Sequence, residues 1–234
     1  MKKQVRLGVT ILLLVVSVVC FFGNILQFQF KNGLKGTLMG NAAELAAEIA
    51  GDEEILEEDL STKEAIDSLL DSLEDRKVEK VMDTVLGAGD ADPDEVLADI
   101  KAALKTMRDS GVSYLEMAKL LNFAVKYDSF FSFSEDDKAT ANGIKIFCYV
   151  MVGLAIFWAV LSALLALKNK GFGFVLYLIH AVINLGVAAL GKYLFESIDD
   201  DVVTVLPMTP VVCAVVALIT VIFWFSTKKK VVEE

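Results

Sequence analysis

Charged residues are almost missing from four long stretches of this 234-residue sequence, near 7–30, 143–167, 172–195 and 205–227. Each stretch approaches or exceeds the roughly 20 residues that an α-helix needs to cross about 30 Å of hydrocarbon. The sequence therefore predicts an all-α integral membrane protein with four transmembrane helices. The remaining segments are 1–6, 31–142, two short connections and a tail at 228–234.

Histidine and cysteine are scarce as well. The only histidine is His180, so a metal ion inside the membrane would lack partner ligands. The apolar stretches hold no acidic pair and no nucleophile with a base, so we expect neither an enzyme nor a cofactor. All three cysteines, Cys20, Cys148 and Cys213, lie in apolar stretches, which predicts buried free thiols and no disulfides. A segment 31–142 without cysteine favours a bacterial cell membrane.

The charges that remain are divided between two sides of the predicted membrane. Residues 31–142 carry 12 Lys and Arg against 26 Asp and Glu, whereas basic residues flank the other ends of the stretches. Because cytoplasmic loops carry an excess of Lys and Arg, we expect both termini in the cytoplasm and the acidic segment outside the plasma membrane. The basic residues are Lys2, Lys3, Arg6, Lys168, Lys170, Lys228, Lys229 and Lys230.

The first stretch has the basic start and apolar middle of a signal peptide, but not its end. Ser17 to Cys20 places valine where a lipoprotein cleavage site requires a small residue, and no A-x-A pattern precedes Asn24. We therefore expect an uncleaved membrane anchor.

The acidic segment 31–142 predicts a helical bundle inserted between the first two transmembrane helices. Capping-box patterns begin at Ser61, Asp92, Ser113 and Ser134, and the last of these predicts that the second transmembrane helix begins near Glu135. Between the caps, apolar residues recur at three- and four-residue steps, as amphipathic helices require. The predicted buried stripes include Ile66, Leu69, Leu70 and Leu73; Val96, Leu97, Ile100, Ala103, Leu104 and Met107; and Leu115, Ala118, Leu121, Ala124 and Val125.

Two acidic clusters are expected at a similar height above the membrane. One is in the short connection between the third and fourth stretches, and the other precedes the second stretch. Together they predict a diffuse acidic vestibule or a solubilising surface, and the alternative is a site for a divalent cation. The members are Glu196, Asp199, Asp200 and Asp201, and Glu135, Asp136 and Asp137.

Polar and small residues follow one face of the third stretch at the helical period. His180 lies there with Tyr177 and Asn184 one turn to either side, and Ser17 of the first stretch is at a similar depth. An ionisable side chain inside a membrane is costly and suggests proton or ligand handling. We favour a neutral histidine that is hydrogen-bonded across a helix interface, because no Asp, Glu or Arg accompanies it in the apolar stretches. The whole predicted inward face is Gly173, Tyr177, His180, Asn184, Ala188 and Gly191.

Nucleic acid is not an expected partner. A stretch from Met107 to Asn122 has the spacing of the start of a helix-turn-helix unit, but no basic recognition helix follows it and the segment is strongly acidic. Two functions remain. The first is a structural or signalling membrane protein whose outer domain binds a partner or ligand and whose bundle assembles with a protein partner or a second copy. The alternative is a small channel or transporter with an acidic outer vestibule and a polar path past His180.

Overall fold

The computed structural model describes residues 3–30, 40–51, 62–74, 92–108, 111–127, 133–198 and 202–232. These residues are mostly helical. In chain order the elements are α1 (Lys3–Phe21), β1 (Leu26–Phe30), α2 (Gly40–Ala50), α3 (Thr62–Glu74), α4 (Pro93–Met107), β2 (Gly111–Val112), α5 (Tyr114–Lys126), α6 (Glu135–Leu167), α7 (Phe172–Ile198), β3 (Val202–Val205) and α8 (Met208–Val232).

Four of these helices, α1, α6, α7 and α8, are long and apolar enough to span a membrane. They form a bundle in which α8 packs between α1 and α7, and α6 packs against α7 and α1. Large apolar side chains such as Leu12, Phe172 and Leu190 face outward, while polar side chains are buried between the helices. This distribution suits a bundle surrounded by hydrocarbon, because a polar group in lipid must find its partner inside the protein.

The first apolar stretch is shorter as a helix than the sequence predicted. Helix α1 ends at Phe21, so the expectation of one helix over 7–30 is wrong, and Asn24 and Gln27 lie outside it. Residues 26–30 read Leu-Gln-Phe-Gln-Phe, an alternation of period two that suits a strand. At Gly23 the chain passes so close to α8 that a Cβ atom would lie 2.4 Å from the Thr209 methyl group.

A small antiparallel sheet of order β2-β1-β3, absent from the all-α prediction, closes one end of the bundle. Leu26 pairs with Val112, and Gln27 to Phe30 pair with Val205 to Val202. The sheet therefore joins the end of α1, the start of α5 and the connection between α7 and α8. We call this the sheet end of the bundle, and the opposite end, where α1 begins, the Arg6 end.

Helices α2, α3, α4 and α5 bury a second apolar core. Ile66, Leu69 and Leu73 of α3 and Ile100 and Leu104 of α4 lie in it, as their spacing predicted. The predicted N-caps Asp92, Ser113 and Ser134 are present, and the latter two form reciprocal capping boxes. The predicted cap at Ser61 lies outside the described residues. Helix α6 begins at Glu135, the residue that the Ser134 signal predicted.

Helix α5 belongs to both cores. Tyr114 and Ala118 pack in the bundle core, whereas Phe123 packs in the core of the helical domain with Tyr127 just beyond the helix. The predicted single stripe is therefore wrong for Leu115, which is exposed. A helix with neighbours on two sides buries two faces, and a one-face pattern does not describe it.

Candidate functional site

Three polar side chains of α7 lie buried inside the bundle and form what we call the α7 polar face: Tyr177, His180 and Asn184. Their spacing of three and four residues puts them on one side of the helix, over a length of about 10 Å. Gly173, one turn before Tyr177, is in close contact with α6, since a Cβ atom there would lie 2.6 Å from the Ser162 Cα. The predicted inward face of the third stretch is thus buried from Gly173 to Ala188, and Gly191 is half-buried.

Ser17 of α1 pairs with Cys213 of α8 beside this face. The Ser17 hydroxyl donates to the Cys213 carbonyl oxygen at 2.9 Å, and the Cys213 thiol donates to the Ser17 carbonyl oxygen at 3.4 Å. Tyr177 approaches both side chains. Its hydroxyl nevertheless has no hydrogen-bond partner of ordinary geometry among the described residues. The pair ties α1 to α8, with the Tyr177 hydroxyl beside it.

His180 lies between α1 and α6. Its ring centroid is 5.4 Å from that of Phe21, and the ring hydrogen-bonds with the backbone of Met151. The other ring nitrogen, Nε2, has no partner in the described part of the chain. The side chain is 4 % exposed, so the free nitrogen is enclosed by protein.

Asn184 accepts a hydrogen bond from a residue of α5, which is not one of the four long helices. The Tyr114 hydroxyl, at the start of α5, donates to the Asn184 Oδ1 atom at 2.7 Å. The Tyr114 ring stacks on Phe21 with centroids 5.5 Å apart, and meets Phe147 edge-on. Burial raises the pKa of the Tyr114 hydroxyl far above its usual value, so it remains a neutral donor. The Nδ2 group of Asn184 has no partner in the ranges described.

The α7 polar face therefore presents three unpaired atoms: the Tyr177 hydroxyl, the His180 Nε2 and the Asn184 Nδ2. Buried polar atoms almost always have partners, and leaving one without a partner costs about 1–3 kcal/mol. A hydroxyl, an imidazole nitrogen and an amide together offer both donors and acceptors. Such a set can bind a water molecule or another small neutral polar molecule enclosed in the bundle.

The acidic residues predicted to form an outer cluster are not brought together by the described part of the chain. Glu135, Asp136 and Asp137 are exposed in the first turn of α6. The Asp137 carboxylate accepts a hydrogen bond from the backbone N–H of the N-cap residue Ser134, and Glu135 pairs with Lys138. Asp199, Asp200 and Asp201 lie outside the described residues, and Glu196 lies in α7. Among the residues described, no group of three or more His, Cys, Asp or Glu side chains could hold a metal ion. The cation site stays a prediction.

Two features of the bundle interior were missed at the level of sequence. The sequence predicts a capping box that begins at Ser113 but not the burial of Tyr114, and it presents Arg6 only as one of the basic residues that flank the apolar stretches. Arg6 is in fact 1 % exposed. Its side chain contacts Asn169 of the α6–α7 turn and the ring of Trp224 of α8. The available signal was the short distance of Arg6 from the apolar stretch, which places a guanidinium at the edge of the hydrocarbon.

No family model, curated protein or solved structure matches this chain.

Proposed function

We propose that this chain is a multi-pass plasma-membrane protein with both termini in the cytoplasm and the helical domain of residues 31–142 on the outer side. The distribution of charge supports this orientation, since basic residues flank the Arg6 end and acidic residues dominate the segment between α1 and α6. The four long apolar helices are consistent with a multi-pass protein.

In this proposal the outer domain binds a protein partner or ligand, and the bundle transmits the bound state and assembles with other subunits. The observation that carries it is that α5 packs in both the bundle core and the core of the helical domain. One end of α5 inserts Tyr114 into the bundle against Phe21 and Asn184, and the other end buries Phe123 in the domain core. A displacement of the domain must then move Tyr114 relative to α1 and α7, because packed cores transmit strain.

A groove between α3 and α4 is the proposed contact surface on the domain. It is lined by charged side chains of both signs and one apolar side chain: Asp67, Leu70, Asp71, Lys101, Lys105 and Arg108. Arg108 already pairs with Asp67 across the groove at 2.7 Å. Charges of both signs give specificity more than affinity, so the expected partner is a protein surface with a mixed charge pattern.

The test is recovery of a stoichiometric complex from native membranes in mild detergent. The complex should be lost in a Lys101→Glu/Lys105→Glu variant, which reverses the basic side of the groove. It should be retained in Lys119→Glu, which reverses an exposed charge on α5. A chain that purifies alone and monomeric from its native membrane would contradict the proposal.

A channel or transporter is the second candidate, because the α7 polar face gives the bundle interior unpaired polar atoms over about 10 Å. Purified protein in liposomes would then conduct an ion or a small polar solute, and His180→Ala would reduce that flux. Absence of flux, or flux that His180→Ala leaves unchanged, excludes this candidate.

A further inference from the structure

A second set of unpaired polar atoms lies at the Arg6 end of the bundle, away from the α7 polar face. Arg6 is buried, and of its guanidinium nitrogens only Nη2 has a described partner, the side-chain oxygen of Asn169. The Nε and Nη1 groups have none among the residues described. Arginine remains protonated in proteins, so this is a buried cation whose described acceptor is a neutral amide.

A third unpaired donor lies beside the guanidinium. The Arg6 Cζ atom lies 4.4 Å from the centroid of the Trp224 ring, and the indole Nε1 of Trp224 also has no partner in the described part of the chain. Trp224 is fully buried. Gly171 permits this position of the indole, because a Cβ atom on residue 171 would lie 2.3 Å from Nε1.

Among the residues described, the charged side chains around Arg6 are basic, which favours a bound negative charge. Lys168 and Lys170 are exposed in the same turn, and the acidic side chains described on the four long helices lie towards the sheet end. Burying an unpaired charge is far more costly than burying an unpaired neutral donor. A guanidinium presents its N–H groups as a planar fork that fits two oxygens of one oxyanion, and a hydroxyl or an amide does not neutralise it.

Asn169 provides the entry to this place. Its residue is exposed in the α6–α7 turn and has a left-handed backbone with φ of 58°, a conformation that asparagine tolerates. Its amide oxygen therefore lies between solvent and the guanidinium. Displacement of this exposed side chain would give an oxyanion from solvent a path to the Arg6 Nη2 group.

We propose that Arg6 and the Trp224 indole N–H, beneath Asn169, form a binding site for one phosphate-type oxyanion at the Arg6 end of the bundle. The end of a membrane-spanning bundle lies at the depth of lipid headgroups, and basic pockets between such helices bind anionic headgroups. A lipid phosphate and a free phosphate supply the same chemistry. The inference holds for either orientation of the chain and does not require the proposed partner binding.

The test measures the thermal unfolding midpoint of the purified full-length chain. One arm adds inorganic phosphate against chloride at equal ionic strength in neutral detergent, and the other compares bilayer discs of phosphatidylglycerol with discs of phosphatidylcholine. Ligand that binds the folded state raises the midpoint in a concentration-dependent way. If the midpoint rises in both arms, a free oxyanion is sufficient for binding. If it rises only with phosphatidylglycerol, the ligand is a lipid headgroup.

Variants separate the site from general charge. Arg6→Gln should abolish the rise, whereas Lys168→Gln, which removes an exposed cation from the same end, should retain it. Trp224→Phe keeps the ring and removes one donor, so it should raise the half-saturating concentration about threefold to tenfold. Neutralising Glu233 and Glu234 together should leave binding unchanged.

Two results would overturn the site. The first is a native protein whose midpoint does not depend on either anion, which would mean that the counter-charge comes from the chain itself. The second is an anion-dependent increase in the midpoint that Arg6→Gln and Lys168→Gln reduce to the same extent. If Arg6→Gln does not fold, an unchanged half-saturating concentration in Trp224→Phe has the same force.

Discussion

At the scale of single residues, Tyr114 connects the helical domain to the bundle. Its hydroxyl supplies the described hydrogen bond of the Asn184 side chain, and its ring packs on Phe21. The Tyr114→Phe change keeps the ring and removes the donor, leaving the buried amide without a described partner. We expect a loss of about 1–2 kcal/mol in the free energy of unfolding, measured by thermal or denaturant unfolding in detergent.

A double-mutant cycle assigns that loss to the hydrogen bond. In an Asn184→Leu background, Tyr114→Phe should cost much less than in the native chain, because the acceptor is already gone. Tyr149→Phe is the matched control, since Tyr149 is half exposed on the outside of α6. Equal costs for Tyr114→Phe in the two backgrounds would contradict the coupling of α5 to α7.

Tyr127 makes the stability of the helical domain depend on alkaline pH. Burial, together with the hydrogen bond that its hydroxyl donates to Asp99, raises the pKa of Tyr127 to about 12. In the unfolded chain the pKa of tyrosine is about 10. The stabilisation is therefore complete below about pH 10 and is lost as the pH rises through about 12.

The measurement is the unfolding free energy of native protein and Tyr127→Phe at several pH values from 8 to about 12. The difference between the two should shrink above about pH 10, the pKa of an unfolded tyrosine. Hydrogen bonds to Asp99 and Glu95 also raise the pKa of Lys126, so the stabilisation that Lys126 provides is likewise lost as the pH rises. Lys126 is present in both proteins. Parallel profiles across this window would contradict a tyrosine contribution.

The sequence predicted part of the candidate site at this scale. Tyr177, His180 and Asn184 could be placed together because their spacing on one helix is fixed by the helical period. Tyr114 and Arg6 could not, because the hydrogen bonds Tyr114–Asn184 and Arg6–Asn169 join residues 70 and 163 positions apart. Such contacts depend on how the helices pack, and no local pattern records that.

At the scale of elements, the glycines of the long helices divide into contact positions and open positions. A Cβ atom at Gly173 would lie 2.6 Å from the Ser162 Cα, whereas one at Gly153 would have no neighbour within 4 Å. Gly173→Ala must therefore push α7 away from α6, because the Ser162 Cα is a backbone atom and cannot move aside by a change of rotamer. We expect Gly173→Ala to cost about 1–3 kcal/mol of unfolding free energy.

Gly153→Ala is the matched control, with the same chemical change on the outer surface of α6. Alanine is the better helix former, so this variant should be neutral or more stable by up to about 1 kcal/mol. Thermal unfolding of both variants in the same detergent decides between them. A similar loss in both would mean that the α6–α7 contact does not depend on a missing side chain at 173.

The sheet shows which element-level signals are open to sequence reasoning. The alternation of apolar and polar residues in β1 is visible in the sequence. It directly follows the apolar run that begins at residue 7, so the two together were predicted as one helix. Strand β2 is only two residues long, and its pairing with β1 joins Val112 to Leu26. No propensity marks so short a strand, because its partner determines it.

At the scale of the whole molecule, the ring of four helices places the two turns of the bundle at opposite ends. The α6–α7 turn lies at the Arg6 end, and the α7–α8 connection lies at the sheet end with the helical domain. If the four helices span a membrane, Asp94 of the domain and Lys170 of the turn must face opposite sides of it. Both residues are exposed, so a cysteine at either position should react with a reagent that reaches it.

The orientation is therefore tested with Asp94→Cys and Lys170→Cys in intact cells and a membrane-impermeant thiol reagent. Asp94→Cys should be labelled from outside, and Lys170→Cys only after the membrane is permeabilised, because the basic end is expected to remain in the cytoplasm. The native chain is the control, since its free cysteines are buried or only partly exposed. The reverse pattern would invert the proposed orientation, and labelling of both positions from outside would mean that α6 and α7 do not cross the membrane.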